Sequence, residues 1–308
     1  MVPAVVLLLG GAAVLAVGAE AAIRGAGRLA RRRGLSPFVL GALLFGVDVE
    51  SLGAALIAAG KGQTSIAAGE AFGTIVFLFS AAFGAALLVS PRPIESPGTL
   101  MVLLPAGTLA MGAIALADSV VTRPEGVALV VVYAVYVNLV VQEGRSARAV
   151  AERVERELEE GPNLPPPLLL LAGLGLVYAG ANLLVDGGVR ILHRTSLSAG
   201  FVGAAVIGAL AAADEVFLEV LPVRRGMPEL ATGNLLGTVA AFSTGVLGLA
   251  ALVRPLQVDS AAASAYDAAT LLYAAVATAF LARGRAGKLT GLVVLAGYAL
   301  WIVWASGF

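Results

Sequence analysis

The sequence predicts an all-α integral membrane protein: ten transmembrane helices arranged as two inverted five-helix repeats. Three observations predict it. Only 13% of residues are charged and 59% are hydrophobic, with mean hydropathy +0.94, whereas a soluble domain carries about a quarter charged residues. Apolar runs of ~20 residues, the length of a membrane-crossing helix, recur ten times along the chain. A single sustained polar stretch divides them into five and five.

The runs lie near 3–24, 37–60, 66–90, 99–117 and 125–142, then 166–189, 199–222, 230–253, 260–282 and 288–306. The first lacks a basic leader and is long enough to span, so it reads as a helix and not as a cleaved signal. Residues 1–142 form the first repeat and residues 166–308 the second. Between them, residues 143–165 read as a charged linker helix closed by Gly161-Pro162 and the prolines at 165–167. Fifteen of the 20 basic residues fall in the loops after odd-numbered spans, among them Arg31, Arg32, Arg33, Arg224, Arg225 and Arg283. The positive-inside rule places those loops and the linker in the cytoplasm and both termini outside, in a multi-pass protein of the cytoplasmic membrane. An odd number of spans per half makes the two halves insert in opposite senses.

The halves also resemble one another. A constant offset of 164 residues matches Glu50 with Asp214, Gly69 with Gly233, Gly73 with Gly237, Thr74 with Thr238, Ser80 with Thr244 and Pro91 with Pro255. Such a register identifies a duplicated unit.

Composition excludes several chemistries. There is no cysteine and only one histidine, His193, so disulfides, thiolate sites and His-rich zinc sites are ruled out. Zero net charge offers no field for nucleic acid. An intramembrane protease is disfavoured: Tyr266-Asp267 resembles half of an aspartyl pair, but the sequence has no second half.

The informative residues are acids inside apolar spans. Asp48, Glu50 and Glu70 form one group, Asp214, Glu215 and Glu219 another, and Asp267 stands alone. A carboxylate in hydrocarbon costs several kcal/mol, so it persists in a polar cavity or opposite a cation. On span 3, Glu70 and Thr74 share a helix face; on span 8, Asn234 and Thr238 do the same; Asp48 lies three residues before Ser51. The candidate ion ligands are therefore Asp48, Glu50, Ser51, Glu70, Thr74, Asp214, Glu215, Asn234 and Thr238. An all-oxygen set suits hard cations such as Ca²⁺, Na⁺ or Mn²⁺. Blander roles stay open. Glu20 can pair with Arg24, Glu219 with Arg224 or Arg225, and Thr74 and Thr238 can bond the carbonyl one turn back. His193 reads as a plain loop residue.

The chain resembles the calcium/cation antiporter superfamily, which includes the sodium/calcium exchangers. The resemblance rests on the segment GAEAAIRGAGRLARRRGLSP (18–37) and on two paired motifs. These are GVDVES (46–51) with GEAFGT (69–74), and LAAADE (210–215) with GNLLGT (233–238). It implies that Glu215 is the essential second-repeat glutamate, with Ser51 at the place of its first-repeat partner. It implies alternating access, with spans 1 and 6 sliding against the other eight. The family's Thr-Ser pairs become Val47/Asp48 and Ala211/Ala212, and the motif prolines become Glu50 and Asp214. Without those prolines, LAAADE is expected to run as unbroken helix.

The expectation is a secondary antiporter, not an enzyme, with no cofactor beyond its transported cation. That cation is Ca²⁺ or a related ion, exchanged for Na⁺ or H⁺. Its partners are inorganic cations and the lipid bilayer, with oligomeric state left open. The competing reading is a non-transporting relative serving as a membrane binding or scaffold protein.

Overall fold

The computed structural model describes residues 2–32, 49–143, 164–213, 215–224 and 228–306. Asp48, Asp214 and all but the ends of the 143–165 linker lie outside the described residues. The described chain is mostly helical: α1 (Val2–Arg32), α2 (Val49–Gly60), α3 (Thr64–Val89), α4 (Thr99–Ala115), α5 (Arg123–Glu143) and α6 (Pro166–Leu192) precede α7 (Ala199–Ala211) and α8 (Glu215–Arg224). Then come α9, in three segments (Pro228–Ala240, Ala241–Val246 and Leu247–Val253), α10 (Ser260–Arg283) and α11 (Lys288–Ala305). Seven of these are long and apolar enough to cross a membrane; α2, α4 and α7 are shorter apolar helices in the other three predicted spans.

Helix ends follow from local chemistry. Pro166 occupies the first turn of α6, where its missing N–H costs nothing. At the start of α5, Glu125 accepts from the Thr122 backbone N–H (2.7 Å) and hydroxyl (2.6 Å). Asp259 caps two helices at once. It accepts from Ala262 N–H of α10 (2.9 Å) and from Gly200 N–H of α7 (2.8 Å). Gly284 ends α10 in the left-handed region at φ +67°.

The 164-residue offset reappears in structure. Helix α3 widens to π-helix over Leu78–Ala82 and finishes as α-helix over Phe83–Val89; α9 widens over Ala241–Val246 and finishes over Leu247–Val253. In both places a hydroxyl bonds back one turn, Ser80 to the Val76 carbonyl and Thr244 to the Ala240 carbonyl (2.6 Å). Such a bond competes for a backbone acceptor and loosens the turn.

Two short strand pairs join distant parts of the chain. Strand β1 (Ile94–Glu95) pairs antiparallel with β4 (Arg285–Ala286), and β2 (Val120–Val121) with β3 (Leu256–Gln257). Helices α4 and α10 are pinned by tyrosine hydroxyls: Tyr266 donates to the Leu109 carbonyl (2.8 Å) and Tyr273 to that of Val102. The buried centre is α3, with Phe72, Phe79 and Phe83 inaccessible.

Helices α1 and α6 run antiparallel along a seam of small residues. Gly11, Gly18 and Gly25 of α1 press on the α6 backbone at Leu184, Val177 and Leu170; Gly173, Gly180 and Gly187 of α6 press on α1 at Ala22, Leu15 and Leu8. Each set repeats every seven residues, so one stripe of each helix is nearly bare backbone. Close backbone approach of this kind drives association where lipid removes the hydrophobic incentive.

Candidate functional site

Span 7 is not a continuous helix. Helix α7 stops at Ala211, Ala212 and Ala213 form a turn, and α8 begins at Glu215. The expectation of unbroken helix through LAAADE is corrected. A π-helical stretch over Val202–Gly208 and a short α-helical segment over Ala209–Ala211 precede the turn, which forms without a proline. The Glu215 N–H instead bonds the Ala212 carbonyl (3.1 Å).

The break sets Glu215 in the first turn of a helix, and Glu50 holds the same place in α2. Both carboxylates therefore lie at the positive end of a helix dipole.

Two oxygen clusters follow. In the first, Ser51, Glu70 and Thr74 are buried. The hydroxyls of Ser51 and Thr74 are 3.2 Å apart, and Thr74 donates to Glu70 Oε1 at 3.4 Å. Thr74 thus faces the acid and not its own helix carbonyl. The second cluster joins Glu215, Glu219 and Asn234. Asn234 Nδ2 donates to Glu215 Oε2 at 2.7 Å and to Glu219 Oε1 at 3.1 Å. One amide has two hydrogens, so it serves both acids, one turn apart on α8. Thr238 instead bonds the Asn234 carbonyl (2.9 Å), the blander of its two readings.

Glu219, which sequence reasoning left outside the candidate ligands, is fully buried beside Glu215. The signal was its four-residue spacing from Glu215; the Arg224-Arg225 pair nearby suggested a surface partner instead. Glu50 is half-buried. Among the described residues, no three His, Asp or Glu side chains gather into a metal-binding group. A cation held here would draw on paired carboxylates and neutral oxygens.

Helix α7 walls the first cluster. A Cβ at Gly208 of α7 would sit 3.1 Å from the Glu70 carbonyl oxygen and from the Thr74 nitrogen, and one at Gly73 would sit 2.3 Å from the Ala204 backbone. Ala211, at the end of α7, is buried with Leu15 of α1 and with Val177 and Ala181 of α6, and Val49 packs against them. The α1/α6 pair therefore lies over the junction where α2 begins and α7 ends.

Other acids have ordinary partners. Glu20 pairs with Arg24 at 2.5 Å, and Asp186 of α6 pairs with Lys61 at 2.6 Å. Asp267 is exposed on α10, and His193 is an exposed residue at the end of α6.

Residues 3–142 and 166–307 match the sodium/calcium exchanger protein family, leaving out the linker. The chain belongs to that family. A putative antiporter CaxA of Alkalimonas amylolytica is 27% identical, covering 94% of this chain and 92% of the relative. The inner membrane protein YrbG of Escherichia coli (strain K12) is 26% identical over 98% and 96%. Among solved structures, the sodium-calcium exchanger NCX_Mj superposes with TM-score 0.64 at 21% identity, covering 98% of both chains. The H⁺/Ca²⁺ exchanger CAX superposes with TM-score 0.74 at 11% identity, covering 98% of this chain and 86% of the other. The fold is thus the exchanger fold, and the chain is a multi-pass membrane transporter, not an enzyme.

Proposed function

We propose that this protein is a secondary-active antiporter that exchanges Ca²⁺, or a cation of similar hardness, for H⁺, by alternating access. The observation that carries the reading is the Glu215–Asn234–Glu219 arrangement. Two carboxylates meeting at one amide repel one another, and a divalent ion or a proton relieves that repulsion. A site rich in carboxylates and poor in hydroxyls suits competition between a divalent cation and protons. Sodium, the alternative counter-ion, would need more neutral oxygens than Ser51, Thr74, Asn234 and Thr238 supply.

The ligands are Glu215, Glu50, Glu70, Ser51, Thr74, Asn234 and Thr238, with Asp48 and Asp214 from the sequence and Glu219 added. The topology is ten spans in two inverted repeats, 1–142 and 166–308. Both termini are extracytoplasmic and the 143–165 helix is a cytoplasmic linker. The matched element boundaries at the 164-residue offset support the duplication. Helices α1 and α6, joined along their glycine seam, move together over the site.

The test is radiolabelled Ca²⁺ uptake into proteoliposomes under an outward proton gradient or an outward sodium gradient. Proton-driven uptake that is lost in Glu215→Gln agrees with the proposal. Sodium-driven uptake alone overturns the choice of counter-ion. Unchanged flux in Glu215→Gln overturns the site. No uptake of Ca²⁺ or Mn²⁺ under either gradient returns the chain to the non-transporting reading.

A further inference from the structure

A cleft of about 390 Å³ lies between α4 and α10, away from the acidic clusters. Its lining is mostly apolar: Leu103, Ala106, Ala274, Ala277 and Leu281, with the Tyr273 ring behind them and Thr270 and Thr278 beside them. The Tyr273 hydroxyl is occupied by the Val102 carbonyl, so the cleft offers a hydrocarbon surface. Leu103 and Leu281 are exposed at its rim, as is Leu100 just before it. In a membrane protein that rim faces lipid.

One end of the cleft has a distinct chemistry. Beyond Leu281, α10 ends at Arg283, and the chain passes through β4 to Lys288 at the start of α11. The pairing of β4 with β1 brings this turn beside the segment that leads into α4. Arg92, Arg283, Arg285 and Lys288 are all exposed there; the one described acid, Glu95, stands opposite Arg285. An apolar cleft that opens onto a net-positive rim matches one amphiphile, with an acyl chain below and a negative phosphate above.

We propose that this cleft binds an anionic phospholipid, one chain lying between α4 and α10 and the headgroup phosphate held by Arg283, Arg285 and Lys288. Basic residues at span ends also set membrane orientation, and that role alone predicts no preference between lipid classes. A bound lipid would brace α4 against α10 beside the two tyrosine hydrogen bonds that join them.

The experiment uses the full-length protein in mixed micelles, titrated with dioleoylphosphatidylglycerol or dioleoylphosphatidylcholine and read by melting temperature and native mass spectrometry. The wild type should bind the phosphatidylglycerol about a hundredfold more tightly than the phosphatidylcholine, and each neutralised basic residue should remove about fivefold. The variant R283Q/R285Q/K288Q should lose the preference while still folding. Ala274→Trp, at an exposed rim position, should weaken both lipids by blocking the chain. Equal affinity for the two lipids in the wild type overturns the proposal, as does a full preference in the triple variant. Undiminished binding in Ala274→Trp places the lipid elsewhere and also overturns it.

Discussion

Gly18→Ala gives the sharpest test of how α1 and α6 are held. A Cβ at Gly18 would lie 2.5 Å from the Val177 nitrogen, 2.7 Å from Leu176 Cβ and 2.8 Å from the Leu176 carbonyl carbon. Two of these atoms are backbone and cannot rotate away, so the helices must part by roughly 1 Å, which forfeits a quarter to half of each contact's attraction. Overpacking of this kind costs about 1–3 kcal/mol. Alanine gives back up to about 1 kcal/mol in helix propensity, leaving a net loss of about 1–2 kcal/mol. Gly10, on the same helix, has no atom within 4 Å of the corresponding point among the described residues. Gly10→Ala should therefore stabilise by about 0.5–1 kcal/mol. The two variants differ in sign. Thermal melting of the purified protein should show Gly18→Ala several degrees below wild type, at about 2–4 °C per kcal/mol, with Gly10→Ala level or above. Equal melting temperatures would refute the seam as a backbone-on-backbone contact.

Three further outcomes are expected. Asn234→Leu should remove the shared donor and set two buried carboxylates against each other, so both its melting temperature and its Ca²⁺ flux should fall; Glu219→Gln in that background should restore stability but not flux. Asp259→Ala takes the acceptor from two helix N-termini and should cost about 2 kcal/mol, summed from about 1 kcal/mol per cap, read as a lower melting temperature; no change would mean the caps are redundant. Lys61→Met breaks an ion pair that is partly exposed on both sides, so its effect on stability should stay within about 1 kcal/mol, visible as a shift of no more than a few degrees.

Hydropathy marks the apolar helices because lipid demands long apolar runs, and π-helical widenings fall at matched positions of the 164-residue register in α3 and α9. Periodicity could not show where a span breaks. The Ala212–Ala213 turn has alanines, which favour helix, so composition carries no mark of it. The two side-chain clusters are half legible in the sequence. Glu215, Glu70 and Ser51 stand out because acids and hydroxyls are conspicuous in apolar surroundings. The contact of Glu219 with Asn234 does not, because the asparagine lies on another helix while arginines lie close in sequence. Lys61 and Asp186 escaped notice for the same reason, since their pairing crosses from the α2 end to α6. Thr74 and Thr238 are symmetric in sequence, yet only Thr74 turns toward its acid. Rotamer choice depends on neighbours that a linear pattern does not contain.

The crossed strand pairs bear on how the chain is assembled at the ribosome. Both β1 and β2 belong to the first half, and their hydrogen-bond partners, β4 and β3, belong to the second. At synthesis rates of ~5–20 residues per second, the early strands wait on the order of ten seconds with open edges before their partners emerge. The first half is thus an incomplete object during translation, at both ends of α4. If the two halves are expressed as separate polypeptides cut within the 143–165 stretch, each should persist in the cell only when the other is made alongside it.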